Sequence, residues 1–327
     1  MSNVEDNRAN RAGTPEHGAA DSLSSAANPG SSAADSRSSA ADSGPGSTNP
    51  RPGSTNPRPS AAGPRDSATS PQYGVLREVT PFASVVLAEN PGVMTLEGTN
   101  TWVLRAPGSP TCAVVDPGPL DRAHLDRVAA CGPVDAVLLT HGHPDHSEGA
   151  RAFGELVNAP VHAVTRSLGT AALSDGDVIE AGGLEIRALA TPGHTDDSIS
   201  FLTRDAVLTG DTILGRGTTV LDGKLGDYLA TLKTLAALPG GTTVLPGHGP
   251  ELPDVVAVAQ AYLKHREERL AQVRAAVEHL GGAPTARQVV ELVYADVDRS
   301  LWPAAEWSVR SQLEYLGLSP DGTAPVL

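Results

Sequence analysis

The segment Thr140-His141-Gly142-His143-Pro144-Asp145-His146 constrains this chain more than any other stretch of it. It sets three histidines and an aspartate within six residues, directly after the apolar run 136–139, so it leaves the end of a strand. Gly142 and Pro144 disfavour helix, and a residue preceding proline is biased to extended geometry. The loop is therefore expected to be extended, with alternate side chains on one face. His141 and His143 then converge on one cation, and Asp145 and His146 serve a neighbouring one. Imidazole and carboxylate donors suit zinc, and also iron or manganese.

Three later turns repeat the same construction. Thr191-Pro192-Gly193-His194, Leu208-Thr209-Gly210-Asp211 and Leu245-Pro246-Gly247-His248 each carry an apolar run through a glycine into a metal-ligand type. A lone histidine is usually a satisfied surface or core residue, which is the reading for His17, His124, His162, His265 and His279. His141, His143, His146, His194 and His248 escape that reading because they fall together in the glycine-turn pattern. Asp211 alone would pass for a helix N-cap; within the set it reads as a ligand. A structural zinc site is closed, four-coordinate and often cysteine-rich, whereas seven ligands without cysteine imply two ions with open positions. Cys112 and Cys131 are too few for a disulfide framework and read as small buried thiols.

Around these turns the chain divides in three. Residues 1–72 are rich in Ser, Ala, Pro and Gly and poor in large apolar residues, with seven-residue repeats such as PGSTNPR. Such a segment cannot bury enough apolar area to fold, and is expected to be a disordered tail. From 73 to 252, strands are expected over 84–87, 101–104, 112–115, 136–139, 161–164, 184–189, 198–202, 206–209 and 242–245. Helices are expected over 120–130, 148–157 and 228–236. Strands mixed with helices predict an α/β architecture with function on the strand-end loops. Residues 253–327 read as helical over 255–280, 285–294 and 304–316, a small appendage.

Charge and hydropathy narrow the partners. The net charge is -14, and residues 1–72 carry seven acids against six arginines, so the acidity lies in the rest. Such a surface gives no long-range attraction for nucleic acid. Arg266, Arg269 and Arg274 on the helix 255–280 read as part of a mixed, solvated face. The N-terminus has no apolar signal region and no run is long enough to span a bilayer, so a cytoplasmic protein with no membrane partner is expected.

The motifs between about Pro81 and Pro250 resemble those of the metallo-β-lactamase superfamily of metallohydrolases. In particular, Asn90-Pro91-Gly92, the run Leu96-Glu97-Gly98-Thr99-Asn100-Thr101, the segment Ala190 to Ser198 and Tyr262-Leu263-Lys264-His265-Arg266 resemble the β-lactamase-like protein 2 group. The resemblance implies an αββα sandwich with a small winged-helix-like C-terminal domain, its wing truncated or absent because the tail after Leu316 is short. It also implies that His141, His143 and His194 hold a first metal, that Asp145, His146 and His248 hold a second, and that Asp211 bridges them. Two Zn2+ ions are the expected cofactors.

Two ions roughly 3.5–4 Å apart share a bridging water and bring its pKa towards neutrality, with Asp145 placed to accept or return its proton. The expected activity is hydrolysis of an ester or thioester in a small molecule. A true β-lactamase is disfavoured, because members sharing the first motif lack an aspartate equivalent to Asp211. Animal members of the resembled group cleave single-stranded RNA, which is the alternative substrate. A non-catalytic metal-binding scaffold is the alternative of another class, and a homodimer through the C-terminal helices is an open expectation.

Overall fold

The computed structural model describes residues 71–323. The expected tail over 1–72 lies outside the described residues, apart from its last two positions. The described chain enters as an antiparallel meander of β1 (Leu76–Thr80), β2 (Ala83–Leu87), β3 (Asn100–Leu104) and β4 (Cys112–Val115). Helix α1 (Arg122–Ala129) crosses over to β5 (Val134–Leu138), which lies parallel to β4. A single turn α2 (Pro144–Ser147) and helix α3 (Ala150–Val157) lead to β6 (Val161–Ala163) and β7 (Ala171–Ala172), completing a seven-stranded sheet in chain order. A second sheet has β8 (Val178–Ala181), β9 (Leu184–Ala190), β10 (Ile199–Leu202) and β11 (Ala206–Gly210) as antiparallel neighbours. After helix α4 (Leu225–Ala236), β12 (Thr243–Pro246) joins the edge parallel to β11.

The period of two along each strand sorts side chains between layers. Trp102, Leu104, Ala113, Val115, Ala136 and Leu138 point inward and meet Ile186, Ala188, Phe201, Leu208 and Leu245 of the facing sheet. The intervening Val103, Val114 and Val137 point outward onto Leu125 of α1 and Phe153 of α3. On the far side Val207 and Val244 are covered by Leu232 of α4 and by Val255 and Ala259 of α5 (Val255–Leu280). The central strands are buried on both faces, which is why they read as unbroken apolar runs. The architecture is the expected αββα sandwich.

Helix α5 begins at Asp254, whose side chain accepts from the Val256 N–H, and runs for 26 residues. Its first half lies on α4; its second half presents Val273 and Ala276 to α6 (Ala286–Val293) and α7 (Trp302–Tyr315). A capping box at Thr285 and Gln288 starts α6. Beyond α7 the chain folds back so that the Ala286 N–H donates to the Pro320 carbonyl and Arg310 pairs with Asp321 at 3.0 Å. Among the described residues an isolated bridge, Thr285 to Asp321, forms there.

Two expectations are corrected. The loop after β5 is extended only as far as His143; Pro144 then starts the helical turn α2, because proline is well tolerated at a first helical position, where its missing N–H would be unpaired anyway. Arg266 does not lie on a solvated helix face: it is 5% exposed, packed against the sandwich.

Candidate metal centre

All seven predicted ligand side chains meet at the end of the sandwich where the strands stop. His141, His143, Asp145 and His146 arrive from the end of β5 in the first sheet; His194, Asp211 and His248 follow β9, β11 and β12 of the second. Close approach is possible because glycines precede the ligands. A Cβ on Gly193 would meet the Tyr228 backbone at 2.4 Å, and one on Gly247 would meet Asp211 Oδ1 at 2.4 Å and His146 Cε1 at 2.7 Å.

For four of the five imidazoles an outer partner fixes the tautomer. Asp116, at the end of β4, accepts from Thr140 N–H at 2.8 Å and from the Thr140 hydroxyl at 2.6 Å, and lies 2.8 Å from His146 Nδ1. His146 therefore carries its proton on Nδ1. The Thr140 oxygen, its own proton committed to Asp116, accepts from His141 Nδ1–H at 3.0 Å. His194 Nδ1–H donates to the Val220 carbonyl at 2.7 Å, and His248 Nδ1–H to the Gly98 carbonyl at 3.0 Å. Each of these four rings is thus oriented as metal-binding imidazoles are, with the other nitrogen held by an outer acceptor.

Two clusters of inward-facing donor atoms result. His143 Nδ1 lies 3.1 Å from His141 Nε2 and 3.0 Å from His194 Nε2. With the outer nitrogens of His141 and His194 protonated, His143 can donate its single Nδ1 proton fully to only one of the two facing Nε2 lone pairs, which leaves the other opposed. In the second cluster His146 Nε2 and His248 Nε2 are 3.3 Å apart, and Asp145 Oδ2 is 3.4 Å and 3.2 Å from them. Asp211 lies between: Oδ2 is 3.8 Å from His194 Nε2 and 3.2 Å from His248 Nε2, and Oδ1 is 3.5 Å from His146 Nε2. The buried Asp211 Oδ1 has no hydrogen-bond partner. A buried anion costs several kcal/mol unless paired, and lone pairs facing one another repel. Cations remove both penalties, so the donor set fits a metal pair.

Titration differs across the site. Burial, with help from the neighbouring His146, pushes His141 well below the usual imidazole range; burial also lowers His194. Burial opposes charge on His248 too, but the Asp211 charge and the hydrogen bonds of Asp145 and Asp211 prevail and raise it to about 9. His146 is likewise raised, by Asp211 and Asp116 against burial. Burial would raise the Asp145 and Asp211 carboxyls, yet the facing histidines hold both well below the carboxylate range.

The motif Asn90 to Thr101 acts as a brace. Asn90 hydrogen-bonds Thr99 through both its amide groups, at 2.9 Å each, and the Thr99 hydroxyl reaches Asp145 Oδ2 at 3.4 Å. Asn100 Nδ2 donates to the carbonyls of Pro246 and Gly249, bracketing His248. Asp116 was not singled out from the sequence, although an aspartate leaving a strand next to β5 was a usable signal. At the rim, Asp222 stands 3.8 Å from His143 Nε2.

A sandwich of this order with an imidazole-carboxylate centre at its strand ends defines a metallohydrolase class, and comparison with known proteins agrees. The family model described as Metallo-beta-lactamase superfamily matches residues 94–171, and that of the Beta-lactamase associated winged helix domain matches residues 285–317. The chain is 30% identical to a Beta-lactamase-like protein 2 homolog of Drosophila melanogaster, over 71% of this chain and 86% of that protein. It is 31% identical to an Atrochrysone carboxyl ACP thioesterase of Aspergillus fumigatus, over 66% and 74%. A Beta-lactamase domain protein from Burkholderia ambifaria superposes with a TM-score of 0.62 at 21% identity, covering 77% and 91%, which bears on the fold. The chain belongs to the metallo-β-lactamase superfamily. It is a metallohydrolase of that superfamily with a winged-helix-type C-terminal segment.

Proposed function

We propose that the protein is a binuclear zinc hydrolase acting on an ester or thioester of a small molecule. Residues 73–252 would form its catalytic domain and 253–327 its C-terminal helical domain. The observation that supports the metal reading is the pair of inward-facing donor clusters joined by the buried Asp211 carboxylate, whose Oδ1 has no hydrogen-bond partner. His141, His143 and His194 would hold one ion, Asp145, His146 and His248 the other, and Asp211 both. Such a pair supplies Lewis acidity towards a carbonyl oxygen and a lowered pKa for water.

The chain's own residues do the rest. Asp116, Thr140, Val220 and Gly98 hold four imidazoles in the tautomer that donates a lone pair inward. Asp145 keeps 26% of its side chain exposed, so its carboxylate faces whatever enters the open side. Its depressed pKa makes it a poor resting base; its role is to orient a water proton at a carboxylate oxygen and to take and return that proton within one turnover. The thioester preference is supported by the thioesterase name of one relative. Cleavage of single-stranded RNA is less well supported, because Arg266 is buried and the chain is acidic.

The test is metal analysis of the purified protein followed by one assay panel of S-lactoylglutathione, acyl-CoA and acyl-carrier thioesters, nitrocefin and single-stranded RNA. Two equivalents of zinc with turnover confined to thioesters or esters are expected. Less than one equivalent of any transition metal after metal loading, or turnover of RNA alone, would overturn the proposal.

A further inference from the structure

Arg266, in the segment Tyr262-Leu263-Lys264-His265-Arg266, is a buried cation that forms no ion pair with a carboxylate among the described residues. Its guanidinium lies over the Tyr228 ring, 5.1 Å from the centroid, one Nη donates to the Thr219 carbonyl, and its Nε has no partner. Burying a charge with so few compensating bonds is unfavourable. What it touches is the connection 211–223, the segment on which two parts of the metal centre hang.

That connection begins with Asp211 and has no regular structure, so its shape rests on contacts made from outside. The Thr219 hydroxyl donates back to the Asp211 carbonyl at 2.6 Å, and the next carbonyl, Val220, accepts from His194 Nδ1 at 2.7 Å. The Asp222 and Gly223 N–H groups donate to the His194 carbonyl. Two aromatic hydroxyls hold the other half: Tyr228 donates to Thr212 O at 2.8 Å, and Tyr262 contacts Leu214 O at 3.3 Å and Gly217 O at 3.1 Å. Tyr262 and Arg266 sit one turn apart on α5, both facing this connection.

We infer that Arg266 is a positioning residue for the metal centre: through the Thr219 carbonyl it fixes the connection that aims Asp211 and orients His194. The C-terminal helix thereby takes part in building the site, although none of its side chains enters it. This inference rests on the reading of His194 and Asp211 as metal ligands. A guanidinium can meet a carbonyl, a ring face and neighbouring groups at once, whereas an ammonium is a point charge. Arg266→Lys is thus the informative variant.

The experiment compares the full chain with R266K, Tyr262→Phe and, as a control on the same helix, Arg269→Ala. For each, zinc affinity is measured by chelator competition, and melting temperature with and without zinc. R266K is expected to weaken zinc binding roughly tenfold or more, the scale seen when outer partners of metal ligands are removed. Its zinc-induced rise in melting temperature should shrink accordingly. Y262F, which keeps the ring and removes only the hydroxyl, should shift affinity the same way by a smaller factor, which covers the case in which R266K does not fold. R269A should match the parent. If R266K, or Y262F in its place, binds zinc within twofold of the parent while melting lower with and without metal alike, the residue serves packing only and the inference fails. A parent chain that binds no zinc sinks the metal reading first, and this inference with it.

Discussion

Four of the five imidazoles of the centre are fixed by a group that lies outside it, and this has measurable consequences at single residues. Asp116 is the most heavily used: one carboxylate serves both Thr140 groups and His146 Nδ1. It holds φ at 51°, a conformation that asparagine tolerates. Asp116→Asn should therefore fold, while zinc affinity falls roughly 10–100-fold, as measured by chelator competition; parent-like affinity would remove Asp116 from the design. The raised histidines give a second prediction. His248 holds its proton up to about pH 9 in the metal-free protein, so a cation must displace it. Zinc affinity should rise with pH towards 9, with protons released on binding. Titration calorimetry at pH 7 in two buffers of different ionisation enthalpy should detect at least one proton released; none released would refute it. The sign for stability is opposite: the contribution of His248 to the metal-free fold is complete below its unfolded value near 6.5 and is lost as pH rises through about 9. The seven proposed ligand side chains, which the fold brings together, were legible because their types recur at one kind of turn. Val220 and Gly98 were not, since a backbone carbonyl leaves no trace in residue type.

Strand ends carry the proposed ligands, so the turns after β5, β9, β11 and β12 decide whether the clusters close. Gly247→Ala tests this. Its Cβ would lie 2.4 Å from Asp211 Oδ1 and 2.7 Å from His146 Cε1, and both neighbours are held in place by the centre itself. Overpacking of this kind costs about 1–3 kcal/mol, and here it falls on the ligands, so zinc affinity should drop at least tenfold while the far-ultraviolet circular dichroism stays unchanged. A variant with full zinc occupancy and parent affinity would show the turn to be slack. The elements that were readable share this logic. β3, β4 and β5 are apolar on both faces and stood out; α5 stood out through its length. The strands β1, β7 and β8 did not. β1 and β8 are edge strands with exposed, charged residues such as Arg77 and Glu180, and β7 has two residues. α2 was hidden because proline breaks helices in their interior but suits their first position.

At the scale of the whole molecule the centre is a joint between two sheets. The first sheet contributes the 141–146 loop and the second contributes His194, Asp211 and His248, so the proposed ions, bound to both sets, would hold the sandwich closed at one end. An acidic chain adds to this: with a net charge of -14, removal of the proposed cations would leave the Asp145 and Asp211 carboxylates offset by protons on His146 and His248. Binding to the folded state alone stabilises it by about 4 kcal/mol when free metal exceeds its dissociation constant a thousandfold. For the roughly 250 residues described, each kcal/mol corresponds to roughly 2–4 °C in melting temperature. Chelation should therefore lower the melting temperature by roughly 8–16 °C, and zinc should restore it. The fall should be larger at pH 9 than at pH 6.5, because the protons that replace the cations are then leaving. Asp211→Asn, which weakens the proposed ligand lying between the two clusters, should show a smaller chelation effect than the parent. Equal melting temperatures with and without chelator, in protein shown to have carried zinc, would mean that the two sheets hold together without their joint.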